Sequence, residues 1–334
     1  MQPTLGNAAM ASVGKKIFFD ATLSFNKNQS CASCHDPAWG WTGPDPLINN
    51  AGGVYEGSIT GRFGNRKPPS SAYATPSPIF HLTKKGLFEG GNFWDGRATG
   101  EKLGNPAADQ AQGPFLNPVE QALPDRACVV YRIQQGNYLA DYVAAWGSNI
   151  KTIVFPSTTD ADCGVELTTI GVSVPDRAKV ETEYDNIALS IAAFEDSPEV
   201  DPFSSKFDTG KLSKQEQKGF SLFRGKGKCA RCHLASGQNP LFTDFTFDNL
   251  GVPKNPANPA TMSGFVDDGL GGFLLTRPEW IDLADDELGK QKVPTLRNVD
   301  ERVGLGVKGY AHNGYFKTLW QVVHFYNTRD TKAT

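Results

Sequence analysis

The amino-acid sequence predicts a mainly α-helical protein with two similar halves, long irregular loops and few strands. The chain has 334 residues, which is enough for two domains of ordinary size. Its 35 Gly and 22 Pro, beside only 39% hydrophobic residues, favour short elements joined by long ordered loops. A five-residue cysteine motif occurs once in each half, at residues 31–35 and 229–233. Together these observations indicate one domain around each motif.

The repeated motif reads C-x-x-C-H, with the sequences C-A-S-C-H at 31–35 and C-A-R-C-H at 229–233. This spacing is typical of covalent haem c attachment, because two thiols add to the haem vinyl groups and the adjoining imidazole binds the iron. A structural zinc site is disfavoured, since the two cysteine pairs lie 198 residues apart. We therefore predict two covalently bound haem c groups. The predicted attachment residues and proximal iron ligands are Cys31, Cys34 and His35 for the first haem and Cys229, Cys232 and His233 for the second.

A related pattern precedes each motif, G-K-K-I-F at 14–18 and G-F-S-L-F at 219–223. Its apolar pair fits one face of a helix that ends before the motif. Ser213 and Glu216 form a capping box that marks the start of the second of these helices. Each half is thus predicted to be a cytochrome c-like domain, in which a helix brings the motif to one face of its haem. The predicted domains are residues 1–170 and 171–334.

Further helices and the loops between them are predicted from hydrophobic spacing and from Gly and Pro positions. The predicted helices cover about 117–135, 137–146, 178–196 and 315–327. Loop-rich segments are predicted at 36–80, 148–177 and 234–310, with the boundary between the halves near 150–178. The segment 254–292 is rich in Pro, Gly and acidic residues, and we expect an irregular surface excursion or a mobile loop there.

Two cysteines, Cys128 and Cys163, lie outside the motifs. Covalent haem c implies assembly in an exported, oxidising compartment, where a disulfide between these cysteines is the default expectation. Closing a loop of about 35 residues would stabilise the fold by roughly 3–4 kcal/mol in the chain-entropy model. Two buried free thiols are the alternative.

Charge and hydropathy exclude several function classes. The formal net charge of −3 argues against general nucleic-acid binding and against a polybasic membrane surface. No run of 18 apolar residues occurs, so no transmembrane helix is predicted. The first seven residues lack a charged segment followed by an apolar stretch, so we expect that the signal of an exported, periplasmic protein has been removed.

The ligand on the far side of each iron decides what a haem protein does. The spare His and Met residues of the chain are His81, His312, His324, Met1, Met10 and Met262. On the predicted C-terminal helix the spacing places Tyr326 on an apolar stripe with Leu319, Val322 and Val323, and turns His324 away beside Trp320. From spacing alone, Tyr326 is either a core tyrosine bonded to a carbonyl or an iron ligand. His312 lies in a loop and is expected to be a hydrogen-bonding anchor.

An ordered series of stretches across nearly the whole chain resembles the bacterial di-haem cytochrome c peroxidases and their relative MauG. The matching stretches are Gly14–Asp20, Ser30–His35, Phe93–Ala98, Asn117–Glu120, the second cysteine motif, Val293–Val299 and Tyr310–Gly314. The resemblance implies that hydrogen peroxide reacts at the N-terminal haem, and that the C-terminal haem exchanges electrons with outside donors. Many of these relatives form dimers, so a homodimer is also an expectation.

The resemblance also implies roles for three further residues. Trp94 of the F-W-D-G-R motif would lie between the haems as an electron relay. Gln110 and Glu120 match a distal pair, in which Glu120 would be the acid–base group that moves a peroxide proton. Without the resemblance, Glu120 would be interpreted as a helix N-terminal acid near Pro118.

Two departures from the family pattern bear on function. Peroxidases that need reductive activation carry a second His ligand on the N-terminal haem, whereas residues 36–80 contain no His, so an open distal face is implied as in MauG. The position of the family's C-terminal Met ligand, fourteen residues after His312, is Tyr326, as in MauG. The resemblance therefore favours Tyr326 as the sixth ligand, and a phenolate oxygen would stabilise ferric and higher iron states.

A calcium ion between the domains is also implied by the resemblance but is left open. Two of its expected ligand positions hold other residues here, Lys67 and the segment Val307–Gly309. A lysine ammonium would replace the charge of the metal.

The leading functional hypothesis is a periplasmic di-haem oxidoreductase that uses hydrogen peroxide. Its electron source would be a small redox protein, as in a peroxidase, or a Tyr or Trp side chain of a partner protein, as in a MauG-like maturation enzyme. The Tyr326 and missing-His features favour the MauG-like chemistry. The alternatives are a non-enzymatic electron carrier, with His81, Met262 or His312 closing the first iron, and a haem-based gas sensor, for which no output domain is recognisable.

Overall fold

The structure, a computed structural model, describes residues 5–301 and 306–329. Its helices are α1 Ala8–Phe18, α2 Pro46–Asn50, α3 Pro106–Ala111, α4 Gly113–Leu116, α5 Arg126–Gln134, α6 Leu139–Trp146, α7 Thr159–Asp162, α8 Val174–Glu195, α9 Lys214–Arg224, α10 Pro259–Met262, α11 Gly269–Leu274 and α12 Leu319–Thr328. Its strands form two antiparallel pairs, β1 His81–Leu82 with β2 Phe88–Glu89, and β3 Phe247–Asp248 with β4 Gln291–Lys292. The predicted mainly α-helical class with few strands is confirmed over these residues.

Helices α1 and α8 cross at the centre of the N-terminal half. The α1 residues Val13, Ile17 and Phe18 are buried against α8, where the Phe18 and Phe194 rings are 5.5 Å apart. A Cβ atom added at Gly14 would collide with the backbone carbonyl of Ser190, so this crossing requires glycine. The predicted boundary at 170/171 stays a prediction, but α8, which it assigns to the C-terminal domain, contributes to the N-terminal core.

Capping residues set the helix ends. The capping box predicted for α9 is present, with the Ser213 N–H donating to Glu216 Oε2 at 2.6 Å and the Glu216 N–H donating to Ser213 Oγ at 3.2 Å. Helix α8 begins at Val174, four residues before its predicted start, because the Ser173 hydroxyl accepts from the Asp176 N–H at 3.2 Å. Helix α12 begins at Leu319 rather than at 315, because Thr318 caps it in the same way.

The predicted helix over 117–135 is wrong in its first half. Helix α5 begins only at Arg126, after Asp125 accepts from the Ala127 N–H at 2.9 Å. Before it the chain folds back, and Ala122 takes a φ of 61°, outside helical geometry. The residue before a proline is driven out of the helical region, so Pro124 already disfavours a helix at this point.

Cys128 in α5 and Cys163 after α7 form a disulfide, as predicted, and the free-thiol alternative is excluded. Both cysteines are fully buried within the N-terminal core.

The segment 254–292 is not an irregular excursion over its whole length. It contains α10, α11 and strand β4, and Leu270 and Leu274 of α11 are fully buried. Trp280 packs edge-on against Phe80 and Phe88 of the β1–β2 region, with ring centroids 5.2 and 5.5 Å away. The apolar residues of α11 recur at helical spacing among glycines, which lowered the apparent helical signal of the sequence. None of the helices in the described ranges is long and apolar enough to cross a bilayer.

Candidate functional site

The two cysteine motifs adopt the same local structure. A short 3₁₀ turn covers Cys31–Ser33 in the first motif and Cys229–Arg231 in the second. Each turn is closed by its histidine, since the His35 N–H donates to Cys31 O at 3.0 Å and the His233 N–H donates to Cys229 O at 2.9 Å. All four motif cysteines are partly buried thiols outside any disulfide. Each motif therefore presents two thiols and one imidazole from a single turn.

Both motif histidines are oriented through Nδ1. His35 Nδ1 donates to the carbonyl of Trp41 at 3.2 Å, and His233 Nδ1 donates to the carbonyl of Phe242 at 2.8 Å. Burial lowers the pKa of both imidazoles, that of His35 to about 4, so they are neutral at pH 7. A neutral ring whose Nδ1 is bonded to a carbonyl leaves Nε2 as the metal-binding atom. The site thus fits an iron ligand in each half.

The carbonyl acceptors are a second internal repeat that the sequence analysis missed. Trp41 and Phe242 both have left-handed backbones, with φ of 60° and 54°. Each is followed by a threonine whose hydroxyl donates to a carbonyl at 2.6 Å, Thr42 to Pro68 O and Thr243 to Val293 O. The sequence signal was an aromatic-Thr dipeptide several residues after each motif.

An apolar cavity adjoins the second motif. It has a volume of about 270 Å³, and its lining includes Phe242, the residue whose carbonyl orients His233. The other apolar residues that line it are Phe207, Leu212, Phe220, Phe223 and Leu296. Aromatic and aliphatic walls beside two thiols and an imidazole fit a flat apolar macrocycle such as haem.

Glu120 lies near the first motif. It follows α4 and is partly buried, with its backbone carbonyl accepting from the Ser58 N–H at 2.7 Å. Burial raises the pKa of its carboxyl group, against the opposing effects of Arg97 and Asn117. Gln29 Nε2 donates to the Glu56 carbonyl at 2.8 Å and to Cys34 Sγ at 4.0 Å, so the stretch 56–58 that binds the Glu120 backbone also borders the first motif. An acid with a raised pKa can take and return a proton near neutral pH.

Gln110, the predicted partner of Glu120, lies on the last full turn of α3 and is partly buried. Among the described residues no hydrogen bond joins its side chain to that of Glu120. Its predicted role stays a prediction.

Trp94 is buried and bonded to both halves of the chain. Its Nε1–H donates to the carbonyl of Lys67 at 2.8 Å, and its own carbonyl accepts from the Lys292 N–H at 2.7 Å. Its ring meets that of His312 edge-on, with centroids 6.3 Å apart. The Lys67 charge acts on the His35 ring, lowering its pKa. Trp94 therefore lies between the first motif and the C-terminal half.

Tyr326 lies near the second motif, but its helix face is not the buried stripe that we expected. Tyr326 is 45% exposed and Val323 is 59% exposed. Burial and the charges of Cys229 and Cys232 raise the pKa of the Tyr326 hydroxyl, while Arg329 opposes this shift. The described residues therefore do not cover the stripe as a protein core would. Trp320 stacks on His324 at 4.8 Å, as the helical spacing predicts.

The other spare histidines and methionines lie in varied surroundings. His81 is exposed in β1 and bonded to the Ile79 carbonyl at 2.8 Å, and Met262 is 76% exposed. His312 is partly buried, with Nε2 3.9 Å from Asp267 Oδ2. Met10 is buried among apolar residues of the N-terminal half, and Met1 lies outside the described residues.

The residues at the implied calcium position do not fit that ion. Lys67 Nζ donates to Thr42 Oγ1 at 2.6 Å and to Pro68 O at 2.8 Å, so an ammonium already uses the oxygen atoms there. Lys308 Nζ donates to Asn298 O at 2.6 Å, and burial together with the charge of Lys308 lowers the pKa of Lys67 to about 7. No group of three or more His, Cys, Asp or Glu in the described ranges is arranged to hold a metal ion. Two ammonium groups repel a divalent cation, which prefers anionic oxygen ligands.

Comparison with known proteins relates the chain to one group. Residues 8–218 match the family described as di-haem cytochrome c peroxidase. The chain is 35% identical over 331 residues to the methylamine utilization protein MauG of Paracoccus denitrificans, covering 96% of this chain and 74% of that protein. It is 29% identical over 334 residues to a cytochrome-c peroxidase of Denitromonas iodatirespirans, with the same coverage of 96% and 74%. The crystal structure of the diheme peroxidase BthA from Burkholderia thailandensis superimposes with a TM-score of 0.77 at 30% identity, covering 97% of this chain and 72% of that one.

Proposed function

Since the chain belongs to the di-haem cytochrome c peroxidase family, we propose that it binds two covalent haem c groups and reduces hydrogen peroxide at the first of them. It is a peroxidase-type oxidoreductase, and the overall reaction converts one H₂O₂, two protons and two electrons into two water molecules. The position of Glu120 carries the proposal for the first site, because the stretch 56–58 joins it to the first motif and its carboxyl group can act there as an acid–base group.

Haem, when bound, supplies the iron that takes electrons and binds peroxide. In the first half His35 would bind the iron through Nε2, with the ring held by its bond to the Trp41 carbonyl. Glu120 would accept a proton from one peroxide oxygen and return it to the other, so that the O–O bond breaks with water as the leaving group. Gln110 would orient the peroxide from α3.

Electrons would reach the first site from the second through Trp94. The bonds of Trp94 to Lys67 and Lys292 support this role, because they fix the indole against segments of both halves. In the second half His233 and Tyr326 would bind the iron. The surroundings of α12 support that assignment, because Arg329 at its end donates to Leu250 O at 3.0 Å and Cys232 Sγ of the second motif donates to Asp248 Oδ2 at 3.5 Å, in the same short stretch.

We propose that the electrons come from a Tyr or Trp side chain of a partner protein. Tyr326 favours this MauG-like chemistry, because a phenolate ligand stabilises oxidised iron and lowers its potential relative to a thioether. A peroxidase with a small redox-protein donor is the second candidate. A non-enzymatic carrier would need a ligand that closes the first iron, and the exposed positions of His81 and Met262 speak against both as that ligand. The Cys128–Cys163 disulfide supports export to the periplasm.

The proposal is tested by adding hydrogen peroxide to the fully ferric holoprotein with reduced small cytochrome c or N-acetyl-tyrosine amide as donor. We expect peroxide to be consumed without prior reduction, with oxidation of the tyrosine derivative. Faster oxidation of the cytochrome than of the tyrosine derivative would favour the small redox-protein donor. Peroxide consumption only after prior reduction, or none, would contradict the open first site.

A further inference from the structure

The segment that includes Lys67 has a counterpart in the second half. Lys67-Pro68-Pro69 and Lys292-Val293-Pro294 both read K-x-P. In each, the middle carbonyl accepts a threonine hydroxyl at 2.6 Å, from Thr42 and Thr243 respectively. Each of these threonines directly follows the residue whose carbonyl orients a motif histidine, Trp41 for His35 and Phe242 for His233. Each K-x-P segment is therefore hydrogen-bonded to the stretch that orients the histidine of its own half.

Both lysines bind neutral oxygen atoms. Lys67 is 7% exposed, and its Nζ donates to Thr42 Oγ1 and Pro68 O. Lys292 Nζ donates to Ser77 Oγ at 2.7 Å, to Asn92 Oδ1 at 3.0 Å and to the Gly91 carbonyl. Within the described ranges neither Nζ has a carboxylate partner. Because neither lysine has a carboxylate partner there, an ion pair does not explain its burial. Burying an ammonium group without a counter-charge costs free energy.

The two lysine segments meet Trp94 from opposite sides. The Lys67 carbonyl accepts from the indole N–H, and the Lys292 N–H donates to the Trp94 carbonyl. The Lys292 ammonium also anchors the segment just before Trp94, because Gly91 and Asn92 supply two of its acceptors. The side chain and the backbone of Trp94 are thereby fixed separately, each by one half of the chain.

We propose that Lys67 and Lys292 are positioning residues that hold Trp94 between the two histidine segments. The inference rests on the proposed role of Trp94 as a relay. One hydrogen bond then joins Trp94 to each K-x-P segment. The threonine bonded to each segment adjoins the residue whose carbonyl orients a motif histidine. A single electron passes along this route from the second site to the first, and no bond forms or breaks on the way. Each ammonium acts by locking the backbone that carries the contact.

The test uses the holoprotein and the variants Lys67→Met and Lys292→Met, which keep the aliphatic stem and remove the donors. After one equivalent of hydrogen peroxide, the rate constant at which reduced small cytochrome c returns the protein to its ferric state is measured. We expect this constant to fall several-fold in both variants, because the indole and the backbone of Trp94 lose the groups that hold their hydrogen-bond partners in place. In Lys292→Met the rate constant for the reaction with peroxide itself and the ferric EPR spectrum should stay unchanged, because the Lys292 ammonium bonds to Ser77, Gly91 and Asn92 and not to the residues around His35.

Lys317→Met is the matched control. Lys317 Nζ also binds only neutral oxygen atoms, namely the carbonyls of Asn49, Ala51 and Gly314. Unlike the other two lysines, it has no bond in the described ranges to Trp94 or to the residues next to it. Its rate constants are expected to equal those of the wild type. Slowing in Lys317→Met as large as in the other two variants would overturn the proposal, because a general loosening of the halves would explain all three.

A double-mutant cycle with Trp94→Phe separates positioning from general destabilisation. If the lysines act through Trp94, neither lysine substitution slows electron transfer in the Trp94→Phe protein further. If the fold-losses in the rate constant multiply in the double variants, the inference is overturned. Wild-type electron transfer in both lysine variants overturns it as well. Wild-type electron transfer in Trp94→Phe alone refutes the relay on which the inference rests.

If a methionine variant fails to incorporate haem, Lys67→Gln and Lys292→Gln replace it, because glutamine keeps an N–H donor. The glutamine variants are expected to lose less of the electron-transfer rate than Trp94→Phe does. Wild-type transfer in both glutamine variants, or a loss equal to that of Trp94→Phe, would then contradict the inference.

Discussion

Glu120 carries the proton chemistry that we assign to the first site. Burial raises the pKa of its carboxyl group, and the stretch 56–58 binds both its backbone and Gln29, which reaches Cys34 of the first motif. From the sequence alone it was indistinguishable from an acid at a helix start near Pro118. Its assignment came from the family resemblance, because its neighbours come from segments far apart in the chain, such as Ser58.

Glu120→Gln is expected to lower the rate constant for the reaction with hydrogen peroxide by roughly 10²–10⁴-fold, the usual contribution of general acid–base catalysis. The carboxylate form accepts the proton, so the wild-type rate should fall as the pH drops through the raised pKa, and the variant should lose this limb. Stopped-flow mixing with peroxide between pH 4 and pH 8 measures both effects. Glu101→Gln is the control, since Glu101 is paired with Arg277 at 2.9 Å away from the motif. A Glu120→Gln profile that matches the wild type would remove Glu120 from the mechanism.

Helices α1 and α9 show how far local sequence determines these elements. The capping box fixed the start of α9, and the G-x-x-Φ-F pattern marked both helices correctly. What the pattern did not reveal is that the two glycines differ. A Cβ at Gly14 would collide with Ser190, whereas no atom lies within 4 Å of a Cβ at Gly219. This difference arises because the Ser190 backbone of α8 meets α1 at Gly14. No local sequence signal encodes such a long-range approach.

The glycine pair gives a matched prediction. Gly14→Ala forces α1 away from α8 and is expected to destabilise the holoprotein by about 3 kcal/mol, as overpacking of a tight core does. Gly219→Ala should destabilise the holoprotein far less, because its Cβ would enter the cavity beside the second motif and would meet no protein atom within 4 Å. Urea unfolding followed by far-UV circular dichroism compares the two. Equal effects of both substitutions would contradict the helix crossing.

What covers the face of a helix was harder to predict than where the helix begins. The C-terminal helix and the order along its stripe were predicted, and Trp320 and His324 stack as the spacing requires. The exposure of this stripe was not predicted, because periodicity marks a face of the helix without saying what covers it. The carbonyls of Trp41 and Phe242 were missed for a similar reason, since they depend on left-handed backbones and not on side-chain type.

A buried ion pair holds three stretches of the C-terminal half together. Arg297 Nη1 and Nη2 donate to Asp208 Oδ2 and Oδ1 at 2.8 and 2.9 Å, and the same guanidinium donates to the Pro240 carbonyl. The hydrogen bonds from Arg297 lower the pKa of Asp208 to about 2. Three separate stretches of chain, around residues 208, 240 and 297, are thereby held together.

The ion pair predicts a pH-dependent stability. A carboxyl pKa that is lower in the folded state stabilises the fold above the unfolded value of 3.8, and this contribution is lost as the pH falls through about 2. The shift corresponds to about 2 kcal/mol. In urea unfolding, Asp208→Asn should therefore be less stable than the wild type at pH 6, and the difference should shrink as the pH falls toward 2. A difference that is constant with pH would mean that the charge of Asp208 is not what matters.

The division of labour between the halves is tested most directly by the ferric EPR spectrum of the holoprotein before any reductant is added. One high-spin and one low-spin haem are expected, for an open first iron beside His35 and a second iron with His233 and Tyr326. Tyr326→Met should then change the low-spin signal and leave the high-spin signal as it was. Two low-spin haems in the unmodified protein would mean that a ligand closes the first iron, and an open peroxide site would be excluded.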